Sequence, residues 1–125
     1  MTEPTFRVSS TVLGAPDPPA LGAFYRDLLG WEVREEEPEW VVLKPPGSRT
    51  GLAFQLEEEH VPPTWPAGPG DQQMQAHLDI GVSDLEAGVR RALELGATPA
   101  AYQPQEDVRV MLDPAGHPFC LFTDA

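Results

Sequence analysis

Cysteine is nearly absent from this 125-residue chain: Cys120 is the single one, so no internal disulfide can form. Basic residues are scarce as well. Lys and Arg number 8 against 20 Asp and Glu, a formal net charge of −12. Such a polyanion repels phosphate backbones and acidic lipid headgroups, which argues against nucleic acid and membrane surfaces as partners. Long apolar runs are missing too; residues 51–54 are typical of the longest, far short of a membrane span. The opening Met1-Thr2-Glu3-Pro4 has no apolar stretch of the kind a signal peptide carries. Phosphate-loop, HExxH, CxxC and GxSxG patterns do not occur. With 41% hydrophobic residues, too many for a disordered chain, the expectation is an acidic, globular, cytoplasmic protein.

Proline, by contrast, is abundant. The 15 prolines fall mostly as doublets or beside Gly and Asp, where they punctuate elements. Residues 6–13 are β-rich, and Asp17 then caps a helix with Pro18 at its first position. Leu21, Phe24, Tyr25, Leu28 and Leu29 carry the spacing of one buried helical face, and Gly30 ends it. Residues 31–34, 40–43 and 51–56 read as strands, so the first half is β-α-β-β-β. Residues 57–74 read as a linker, rich in glutamate, proline and glycine. Trp65 is the exception there, a large apolar group that a free linker does not need.

The second half repeats the order. Residues 75–82 read as a strand, and Ser83-Asp84-Leu85-Glu86 as a capping box. Leu85, Val89, Ala92 and Leu93 form an apolar helical face that Gly96 stops. Strands are expected near 98–102, 108–112 and 118–122, the last two joined by the turn Asp113-Pro114-Ala115-Gly116. Asp17 and Asp84 stand 67 positions apart, as do Gly14 and Gly81; Gly51/Gly116, Phe54/Phe119 and Leu56/Leu121 stand 65 apart. Shared offsets in shared order mark two copies of one βαβββ unit, at residues 6–56 and 75–123.

These units, with Phe24-Tyr25-Arg26-Asp27-Leu28-Leu29-Gly30-Trp31 closing the first helix, resemble the vicinal oxygen chelate superfamily. The runs His77-Leu78-Asp79-Ile80-Gly81-Val82-Ser83-Asp84-Leu85 and Asp113-Pro114-Ala115-Gly116-His117-Pro118-Phe119 resemble it as well. That superfamily contains glyoxalase I, bleomycin-resistance proteins and extradiol dioxygenases. The resemblance implies a single glyoxalase-like domain over residues 1–125. Its fold would be α+β, two βαβββ modules making a curved mixed sheet with helices outside and a cavity on the concave face. It also implies a homodimer. Superfamily metal ligands carry over onto Ser10, Gln55, His77 and Cys120. Only His77 matches the usual His and Glu set, so the metal site reads as degraded and no cofactor is expected; a divalent metal is the alternative.

Strand alternation describes that face independently. Thr11, Leu13, Leu52, Phe54, Leu56, Leu78, Ile80, Phe119 and Leu121 share one parity and should pack on the helices. So should Val41, Leu43, Val110 and Leu112. Ser10, Val12, Ala53, Gln55, His77, Asp79, Cys120 and Phe122 then take the other face, joined by Trp40, Val42, Arg109 and Met111. The expected ligand-binding set is Trp40, Gln55, His77, Asp79, Arg109, Met111 and Cys120. Plainer roles stand beside it: a hydrogen-bonded polar histidine, a small apolar filler at Cys120, core tryptophans at 40 and 65, an ion-paired Arg109. Ser10, His77 and Asp79 share a face, yet no sharp nucleophile turn holds the serine. His60 and His117 read as exposed.

Two functions follow. One is a protein that binds a small organic molecule in the cavity, acting as a binder or a metal-independent enzyme. The other is a divalent-metal-dependent lyase, isomerase or dioxygenase. The ligand's sign stays open, since the net charge of −12 suits a cation while Arg109 in the cavity suits an acid.

Overall fold

Capping residues and glycines set the element boundaries. A computed structural model describes residues 3–123. It runs β1 (Ser10–Ala15), α1 (Pro18–Leu29), β2 (Glu32–Glu37), β3 (Trp40–Lys44), β4 (Gly51–Leu56), β5 (Leu78–Val82), α2 (Leu85–Leu95), β6 (Thr98–Pro99), β7 (Val108–Leu112) and β8 (Pro118–Thr123). Asp17 accepts from the Ala20 amide at 3.2 Å, capping α1 as expected. For α2 the cap is Asp84, which accepts from the Ala87 amide at 3.1 Å. The capping box expected from Ser83 and Glu86 is therefore shifted by one residue, because the aspartate supplies the better-placed oxygen. Gly30 and Gly96 end the helices at φ of 72° and 116°, a conformation that side chains disfavour.

The chain divides between Glu58 and Glu59 into two compact units. Each holds one helix and a four-stranded mixed sheet, ordered β1-β4-β3-β2 in the first and β5-β8-β7-β6 in the second. The outer pairs β1–β4 and β5–β8 are parallel, the others antiparallel. This is the expected α+β pair of βαβββ modules. No helix among the described residues is long and apolar enough to cross a membrane.

In the first unit α1 buries Leu21, Phe24 and Tyr25 against β3 and β4, where the Tyr25 ring stacks on Phe54 at 5.6 Å. Gly22 permits this approach: a Cβ there would lie 2.8 Å from a Val41 methyl. In the second unit α2 buries Gly88 and Ala92, and Leu93, expected in its apolar face, is 42% exposed. The contact line runs through Gly88 and Ala92, four residues apart, which turns position 93 outward by one helical step of about 100°.

Residues 59–74, expected as a linker, pack onto the second unit. Thr64 bridges Gln73, and His60 Nε2 lies 2.7 Å from the Ala115 carbonyl oxygen. The His60 ring sits 5.1 Å from that of His117, so neither is the free surface group expected. Gly116, at φ of 88°, has Pro62 so close that a Cβ would stand 2.6 Å from it. The buried Asp113 carboxylate accepts from the amides of Ala115 at 2.9 Å and His117 at 3.0 Å, locking the β7–β8 turn.

Candidate functional site

Residues opposite one another in a ladder share a sheet face. In the second unit Asp79, Cys120 and Val110 form one row across β5, β8 and β7, and Gly81, Phe122 and Val108 form the next. The other face carries Leu78, Phe119 and Met111, then Ile80, Leu121 and Arg109. Phe119, Met111 and Leu121 are fully or almost fully buried there. The first face floors a cleft of about 540 Å³. Trp65, His77, Leu85 and the connection through Pro104, Gln105 and Asp107 build its walls. Gly81 adds no side chain to its row.

His77 immediately precedes β5, whose expected start at residue 75 moves to Leu78. Its Nε2 stands 3.1 Å from Asp79 Oδ1, the two carried on one side of the chain by their i, i+2 spacing. The His77 ring stacks on Trp65 at 4.7 Å, and Trp65 meets Tyr102 edge-on at 5.4 Å. The Cys120 sulfur lies within 4.8 Å of donor atoms of both His77 and Asp79. Burial, and after it the charge and polar contact of Asp79, push the thiol above its ordinary range. Cys120 is thus a protonated donor at neutral pH, poorly suited to nucleophilic attack.

Two expected site residues lie elsewhere in this unit. Met111 is 1% exposed on the helix face, and Arg109 faces the same way, opposite Leu121. The Arg109 guanidinium donates to the carbonyls of Glu106 at 2.6 Å and Val108 at 3.2 Å. Val110, expected under the helix, lines the cleft instead. The cause is the turn: six residues join β3 to β4 but five join β7 to β8, and one residue fewer exchanges the two faces of a strand.

Trp40 and Gln55 belong to the first unit and pair across β3 and β4 as expected. Trp40 Nε1 donates to Glu35 at 2.8 Å and Gln55 Nε2 to Glu57 at 3.3 Å. Ser10 is opposite Gly51, whereas Gln55 is opposite Gly14, four residues along β1 and about 13 Å away by strand rise. Ser10 is thus not the ladder counterpart of His77. That counterpart is Val12, because the β5–β8 register is slipped by two residues relative to the 67-position helix offset. His77, Asp79 and Cys120, in contrast, bring one donor atom each to within 4.8 Å of one another. Those three are the donor types that bind zinc, and they would be the residues to hold it.

Trp65, Asp107, Val108, Val110 and Phe122 were outside the expected set. Two of them carried a signal: Phe122, which strand alternation had put on the cavity face, and Trp65, a large aromatic in a Pro- and Gly-rich stretch.

The chain belongs to the glyoxalase-like domain family, whose model matches residues 10–122. Among curated proteins none matches it. Its fold is similar to that of a glyoxalase/bleomycin resistance protein/dioxygenase family enzyme from Burkholderia phytofirmans, at 19% identity and a TM-score of 0.69, over 92% of this chain and 96% of that one. Bleomycin-binding protein from Streptomyces verticillus, solved with copper(II)-bleomycin, is similar at 19% identity and a TM-score of 0.59, over 98% and 100%. Lactoylglutathione lyase from Agrobacterium tumefaciens is similar at 22% identity and a TM-score of 0.60, over 97% and 96%.

Proposed function

We propose that this protein binds a small organic molecule in the cleft of its second module, without a resident metal ion. The observation that carries the reading is the polar cluster His77–Asp79–Cys120 set among Trp65, Val108, Val110 and Phe122. Apolar walls around a few convergent polar groups are the usual chemistry of a small-ligand site, and about 540 Å³ suits one such molecule. The bleomycin-binding protein supports the reading as a protein of similar fold whose ligand is a small molecule. Against the superfamily's metal set stands the separation of Ser10 from Gln55 along β1. A second reading, a divalent-metal enzyme, draws on the same three donors lying within 4.8 Å of one another.

A thermal-shift screen of small organic molecules, followed by calorimetry on His77→Ala, tests the proposal. His77→Ala should weaken a stabilising compound about tenfold, while costing under about 1.5 kcal/mol of stability, the scale of one hydrogen bond. Unchanged affinity with a large stability loss would make His77 a packing residue. A stoichiometric metal that EDTA removes, together with loss of that compound's binding, would favour the second reading.

A further inference from the structure

We infer that the cleft selects organic cations, an amine, amidinium or quaternary ammonium on an apolar body. This rests on the small-molecule reading above and adds the ligand's charge to it. Arg109 was the sequence's argument for an acidic ligand, and the ladder turns it to the helix face with its guanidinium on two backbone carbonyls. What remains around the cleft includes two carboxylates, Asp79 and Asp107, one imidazole, and neither lysine nor arginine. The formal charge of this lining is negative whether His77 carries a proton or not.

The two carboxylates are available in different ways. Asp107 makes no hydrogen bond or ion pair among the described residues, so nothing in them neutralises it. Asp79 is held by His77 and Cys120, yet its side chain is 63% exposed. No lysine or arginine in the lining stands beside Asp79 to cancel its charge. The rings of Trp65 and Phe122 in the lining add attraction for a cation, and Val108 and Leu85 give its apolar body a surface. An anion of the same size would meet the same apolar walls and two repelling charges.

The test compares three probes that share a benzyl group on the unmodified protein at pH 8 and 150 mM salt. They are benzyltrimethylammonium, benzyl alcohol and phenylacetate, followed by NMR at His77 and by tryptophan fluorescence. Benzyltrimethylammonium should bind at least about tenfold more tightly than phenylacetate, since two nearby carboxylates act in opposite senses on the two. Asp107→Asn and Asp79→Asn should each cost the cation about threefold or more and improve phenylacetate. Glu36→Gln, on the exposed strand β2, should change neither, which separates a local effect from the net charge of the chain. Phenylacetate or benzyl alcohol binding as tightly as the cation overturns the charge inference and leaves the cleft a binding site. Silence of both signals with all three probes overturns the inference and the small-molecule reading together. A response to zinc chloride alone, with none to benzyltrimethylammonium, overturns it in favour of an inorganic cation.

Discussion

The first module's ladder row Gly14–Gln55–Trp40 and the second module's Asp79–Cys120–Val110 occupy the same place in the same topology. In the first, Gly14 has Glu57 so near that a Cβ would lie 2.7 Å from its Cγ, and Gln55 and Trp40 bond outward to glutamates. In the second, the glycine position is an aspartate joined to a histidine and a thiol. The helices differ in the same direction. α1 buries two aromatic rings and a leucine, whereas α2 buries only Gly88 and Ala92. One unit spends its side chains on packing, and its twin sets a polar cluster at the floor of a cleft. A duplicated fold needs the core in both copies and leaves the polar row free to differ between them.

The broadest test of that comparison strikes the shared core. Phe54→Ala and Phe119→Ala remove rings that are fully buried and 65 positions apart, and each should cost about 3–5 kcal/mol in denaturant unfolding. A difference well beyond that range would mean that the two copies do not rest on equivalent cores. A smaller effect sharpens the difference between helices. Gly22→Ala pushes against Val41, which is 2% exposed and cannot turn away, so a loss of about 1–3 kcal/mol is expected. Gly88→Ala meets the methyls of Val82 at 2.9 and 3.1 Å, but that side chain is only half-buried. There the better helix propensity of alanine, worth about 1 kcal/mol, should nearly offset the crowding. Equal losses in thermal melts would erase the contrast.

The smallest effect reads the polar row itself. Iodoacetamide should label Cys120 slowly at pH 8 in the folded protein, and Asp79→Asn should speed labelling about threefold or more. Full unfolding should speed it further, because burial is the larger cause of the raised thiol. The same shift has a sign in stability. A thiol harder to ionise when folded contributes stability fully present below its unfolded value, about pH 8.5. That contribution falls as pH rises from there through the higher folded value. Cys120→Ala should flatten this alkaline loss in melts recorded across the range. An unchanged slope would mean that the thiol is not coupled to folding.

Much of this was legible locally. Asp17 before Pro18, the glycines after each helix and the alternation of 51–56 and 118–122 are short-range signals. Each depends on a residue's own backbone preference or on its neighbours within a turn. The duplication followed because both copies keep those signals in order, and the nearness of His77 to Asp79 because they are two residues apart on one extended segment. Tertiary pairing decided the rest. Which face of β7 looks into the cleft depends on its partner β8 and on a turn one residue shorter than its counterpart, so Val110 and Arg109 exchange sides. Trp65 reaches His77 from a segment with no periodicity to announce it, across contacts that no local pattern encodes. Alternation belongs to a strand alone, but the side it presents is set by long-range hydrogen bonds, and those form only when the chain folds back on itself.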